Sequence, residues 1–101
     1  MKIEILSVPG CPHHATAMAH VRRAMSSLGL EEGIEERWIV SPEQAREQRF
    51  PGSPTVRVDG RDVEPVQGQP ALACRLYATG DNAPSVELVR EAMAAAARGR
   101  L

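Results

Sequence analysis

A chain of 101 residues is long enough for one domain and too short for two. Its 25% charged and 43% hydrophobic residues are the balance of a globular domain and exclude a disordered tail. Twelve Lys+Arg against thirteen Asp+Glu leave a formal charge of −1, which makes no electrostatic case for nucleic acid or a membrane surface.

Residues 2–8 alternate and are rich in Ile and Val, which predicts a buried strand stopped by Pro9-Gly10. From residue 12 to about 28 there is no further Gly or Pro. Met18, Val21, Met25 and Leu28 recur there at helical spacing, and Gly29 follows as a C-cap. Residues 34–40 are a second strand, with Ile34, Trp38 and Val40 apolar and Glu35, Glu36 and Arg37 solvated. Ser41-Pro42-Glu43 reads as N-cap, N1 proline and first-turn acid of a short helix over 42–48. Residues 55–58 and 61–63 are strands joined by the two-residue turn Asp59-Gly60. A looser stretch, 64–83, contains an alternation of Leu72, Cys74 and Leu76 with Ala73, Arg75 and Tyr77, compatible with a short strand or one helical turn. A last helix over 84–98 carries Val86, Val89, Met93 and Ala97 on one face.

The order β-α-β-α-β-β-α predicts a single α/β domain over 1–101. A right-handed strand–helix–strand crossover makes the first two strands parallel, and the hairpin makes the last two antiparallel. The result is a four-stranded mixed sheet with helices on both faces, a three-layer sandwich. No apolar run approaches the ~20 residues of a membrane span, and the strand-like opening is not that of a signal peptide. Two cysteines, Cys11 and Cys74, are too few for a disulfide scaffold, so the expected setting is cytoplasmic with reduced thiols.

Chemistry in such a sheet gathers beyond the carboxyl ends of the parallel strands. Cys11 lies there, at the expected start of the first helix, where unpaired N–H groups favour a thiolate. The bland alternative is a small buried hydrophobe. His14 falls at the centre of the helix's apolar stripe and points inward. It is either a partner or base for the Cys11 thiolate, or a neutral residue bonded to the backbone. His13 is expected to be solvated, and His20, two turns on, has no assigned role. The second address is Gly52-Ser53-Pro54-Thr55, where Pro54 either begins an edge strand or follows a cis bond that fixes Ser53. Cys74 is read first as a core position sharing a face with Leu72 and Leu76.

Gly-Cys-Pro at 10–12, Ser-Pro-Thr at 53–55 and the hairpin that follows resemble the thioredoxin-like superfamily in its short, glutaredoxin-like form. The resemblance covers residues 2 to about 64 and the last helix. It implies that Cys11 is the nucleophile and that Pro12, Ser53 and cis-Pro54 form the substrate-binding surface, Ser53 and Pro54 by pairing with a substrate backbone. It also implies that the segment after the hairpin runs back over the proline loop, which would make Cys74 a resolving thiol from outside the usual motif. The chain departs from the family pattern in having His14 where the second cysteine stands. Val66-Gln-Gly-Gln-Pro70 offers one glycine and no acid, which counts against glutathione as a partner.

The function expected is thiol–disulfide exchange through Cys11, with a protein or a low-molecular-weight thiol or disulfide as partner and no cofactor. Two alternatives are a binding module without redox turnover, and a soft-metal binder using Cys11 with His13, His14 or Cys74. No Ser/His/Asp set is apparent.

Overall fold

The computed structural model describes residues 1–99. Its elements, in order, are β1 (Ile3–Ser7), α1 (His14–Ser27), β2 (Ile34–Trp38), α2 (Pro42–Glu47), β3 (Thr55–Val58), β4 (Arg61–Asp62) and α3 (Val86–Arg98). The strands form one mixed sheet in the order β2-β1-β3-β4. β1 and β2 are parallel, with Ile3 opposite Ile34 and Ser7 opposite Trp38. β3 runs antiparallel to both β1 and β4. No described helix is long and apolar enough to cross a membrane.

Strand alternation sorts the core into two layers, because successive side chains leave opposite faces of the sheet. Ile3 and Ile5 of β1 join Val56 and Val58 of β3 under Ala17, Val21 and Met25 of α1 and Val89 and Met93 of α3. Leu6 points the other way, into a smaller cluster with Ile39, Ala45 of α2 and Phe50. Just past β2, Ile39 is buried at 3% exposure, while Trp38 at 45% and Val40 at 61% are exposed, contrary to the expected apolar set. Glu36 and Arg37 are not simply solvated. Arg37 Nε reaches the buried Glu4 carboxylate at 2.7 Å, and Glu36 meets His14.

The turns follow the residues that build them. Gly29, at φ +66, ends α1 in a Schellman arrangement, with Leu30 N–H on Met25 O and Gly29 N–H on Ser26 O. Asp59 and Gly60 both take positive φ, the geometry that joins tight hairpins. Ser41 caps α2 by accepting from Gln44 N–H. On α3, Ala97 is exposed, and Ala96 instead packs against the core beside Val86 and Ala92. Ser85 caps this helix by accepting from Leu88 N–H at 3.1 Å. Ser85→Ala is expected to cost about 1 kcal/mol in a urea titration. A change within a few tenths of a kcal/mol would mean that packing alone fixes the start of α3.

Candidate functional site

The carboxyl ends of β1 and β2 open onto the turn that carries Cys11. Val8-Pro9-Gly10-Cys11 has the marks of a type II turn: proline at the second position, Gly10 at φ +79, and Cys11 N–H on Val8 O at 3.1 Å. A second turn follows, with His14 N–H on Cys11 O at 3.3 Å. The helix begins at His14, two residues later than the sequence suggested, so Cys11 sits on the approach to α1 rather than in its first turn. Its thiol is free and half-buried, and Pro12 is exposed.

Ser53 faces this turn. It is fully buried, its hydroxyl accepts from Val8 N–H at 3.0 Å, and its bond to Pro54 is cis. Its own backbone is already paired: Ser53 N–H donates to Ala73 O at 2.8 Å, and Arg75 N–H donates to Ser53 O at 2.9 Å. This sets Cys74 opposite Ser53 in a parallel bridge. Gly52 makes the approach possible. At φ +141, a Cβ there would lie 3.0 Å from Arg75 Cβ and 3.3 Å from Ala73 O.

The 71–77 segment forms neither a strand nor a helical turn but one isolated bridge, and its buried positions are the reverse of the core reading. Cys74 is exposed, as are Leu72 at 42% and Leu76 at 67%, while Arg75 and Tyr77 are buried. Arg75 fastens the segment to the sheet. It bonds Asp62 Oδ2 at 2.7 Å, Thr55 Oγ1 at 3.1 Å and the Glu64 carbonyl, with its guanidinium 4.3 Å from the centre of the Tyr77 ring. Tyr77 donates its hydroxyl to Pro54 O at 2.6 Å. A buried charge is tolerated only with such partners, and these come from residues 11 to 20 positions away, so no local signal announced Arg75.

His14 points inward as expected, but to side chains. Its Nδ1 lies 2.6 Å from Ser7 Oγ and its Nε2 2.7 Å from Glu36 Oε1. A carboxylate only accepts, so Nε2 carries a proton; in the neutral ring Nδ1 accepts from the Ser7 hydroxyl. The ring stacks on Trp38 at 4.6 Å between centroids. A Ser–His–Glu set thus exists where none was expected, yet Ser7 is fully buried and offers no nucleophile to a substrate. Both nitrogens are engaged, so His14 reaches a Cys11 thiolate only by leaving one of these bonds. The signal that could have found the set is register: Glu36 and Trp38 share a face of β2, and Ser7 ends the same face of β1. His20 Nδ1 meets Pro84 O at 2.7 Å, tying α1 to the start of α3.

Ser53 thus lies between the turn that carries Cys11, which it meets at Val8, and the segment that carries Cys74, while His14 belongs to a separate network. Among the described residues no three or more His, Cys, Asp or Glu side chains gather as a metal site. A cavity of about 480 Å³ between the β3–β4 hairpin and α3, lined by Val58, Arg61, Val63, Ala92 and Ala96, lies at the opposite end of the sheet and holds no thiol. No family model, no curated protein and no solved structure matches this chain.

Proposed function

We propose that the protein is a thioredoxin-like thiol–disulfide oxidoreductase with Cys11 as its nucleophile. The observation that carries this reading is the 3.0 Å bond from Val8 N–H to Ser53 Oγ. It holds the Ser53-Pro54 loop against the turn that presents a half-buried, free thiol at the carboxyl end of a parallel strand pair. Element order and the strand order β2-β1-β3-β4 support the same assignment. The Cys11 thiolate attacks one sulfur of a disulfide. A Cys11 mixed disulfide forms, the substrate S–S bond breaks, and the departing thiolate takes a proton from solvent.

Cys11→Ser is expected to slow the first exchange with 2-hydroxyethyl disulfide sharply, followed by intact mass as loss of the fully reduced protein. An unchanged rate would end the assignment. Exchange absent in the wild type would leave the binding readings, and mercuric or cuprous titration separates them.

A further inference from the structure

Residues directly opposite one another in paired strands carry their side chains on the same side of the ladder. Cys74 is opposite Ser53, and on that side the Ser53 hydroxyl touches Val8, the first residue of the turn that ends in Cys11. Cys74 therefore leaves the ladder on the side where Ser53 meets the turn that carries Cys11, and it is exposed there. The phase is locked. Slipping the segment by one residue would turn the Arg75 guanidinium away from Asp62 and Thr55.

The same segment closes a recognition edge. An extended polypeptide binds a sheet edge by exchanging backbone hydrogen bonds with it. Ser53 has none to offer, because Ala73 and Arg75 hold both its N–H and its C=O. Nor is this segment a displaceable lid: Arg75 and Tyr77 are buried beneath it, and Gly52 is packed against Arg75.

We propose that Cys74 is the resolving thiol for Cys11, and that the disulfide the pair reduces is a low-molecular-weight one rather than an extended polypeptide. This rests on the assignment of Cys11 as nucleophile. After the first exchange Cys11 carries one half of the substrate and the other half has left as a thiol. The Cys74 thiolate then attacks Cys11 Sγ. A Cys11–Cys74 disulfide forms, the bond from Cys11 to the substrate sulfur breaks, and the second half leaves as a thiol. The substrate has gained two electrons and two protons, and the protein has lost both thiol hydrogens. Two equivalents of a low-molecular-weight thiol reverse the oxidation by the same exchange.

The test treats the fully reduced protein, freed of reductant, with 2-hydroxyethyl disulfide and reads acid-quenched intact mass. The wild type is expected to end as a monomer lighter by two hydrogens, with no adduct. Cys74→Ser, at an exposed position where packing is untouched, is expected to stop at a single adduct on Cys11. A wild type that also stops at the adduct, or ends as a disulfide-linked dimer, overturns the resolving role and leaves the nucleophile assignment standing. Cys11→Ser that loses its reduced mass as fast as the wild type overturns both. For substrate class, the protein and excess small thiol are given insulin. No turbidity beyond that of the thiol alone is expected over an interval that consumes an equal amount of 2-hydroxyethyl disulfide. Turbidity on the same timescale overturns the restriction to small disulfides.

Discussion

Arg75→Met is expected to lower the free energy of unfolding by about 3–5 kcal/mol. The arginine is 4% exposed and its ion-pair partner Asp62 has a side chain only 15% exposed. Removing the cation leaves that carboxylate without a counter-charge at 2.7 Å, takes a donor from the Glu64 carbonyl, and strips the cation from the face of Tyr77. Arg75 Nε has no hydrogen-bond partner, so part of the cost of burying the guanidinium is already uncompensated in the native state. A domain of this kind has roughly 5–15 kcal/mol in total, so the variant approaches the unfolding limit. Asp62→Asn in the same chain is expected to restore part of the loss, because the orphaned charge is then gone. Urea titrations of the four proteins in the cycle read this coupling. A single-variant loss below about 1 kcal/mol would place the pair with ordinary surface ion pairs.

The consequence reaches the candidate site. Arg75 and Tyr77 keep the 71–77 segment beside Ser53, and that segment carries Cys74. Asn82 Nδ2 on Arg75 O and Ala78 N–H on Glu64 Oε2 brace the same stretch from its far side. A buried cation thus fixes the position of an exposed thiol.

Local chemistry made the element order legible. Apolar spacing marked α1 and α3, Ser41-Pro42 marked the start of α2, and Asp59-Gly60 marked the hairpin. The turn holding Cys11 and the cis Ser53-Pro54 bond lie where Gly-Cys-Pro and Ser-Pro-Thr indicated. What the chain hid depends on long-range partners. Only Cys74 to Tyr77 alternates, since Leu72 and Ala73 are exposed as well, and hydrophobicity chooses the wrong side of it: two leucines outrank an arginine until Asp62, Thr55 and the Glu64 carbonyl are brought beneath the arginine. Trp38 and Ile39 make the same point. The larger residue is exposed because α2 and Phe50 cover the opposite face of the sheet, the side to which Ile39 turns just after β2. His14 was placed inward by helical phase alone, whereas its partners Ser7 and Glu36 required the β1–β2 register.

Tyr77 makes the second large prediction, at alkaline pH. Burial pushes its phenol well above the ordinary value, outweighing the pull of the Arg75 guanidinium in the other direction; the Asp62 and Glu64 carboxylates add to the rise. In the unfolded chain the phenol ionises near pH 10, as in a model peptide. Above that pH the unfolded state has given up a proton that the folded state keeps. Fewer protons bound in the unfolded state means that stability falls as pH rises, by up to about 1.4 kcal/mol per pH unit, and is fully present below about pH 10. Tyr77 is the single tyrosine of the chain, so phenolate absorbance reports on it alone. That absorbance is expected to appear together with loss of far-ultraviolet circular dichroism and not before it. Tyr77→Phe is expected to remove this component of the alkaline slope. At neutral pH it should cost about 1–3 kcal/mol, because Pro54 O loses its 2.6 Å donor in a buried setting. A phenolate that forms near pH 10 with the circular dichroism intact would show that the hydroxyl is reached by water, and would remove Tyr77 as an anchor of the segment that carries Cys74.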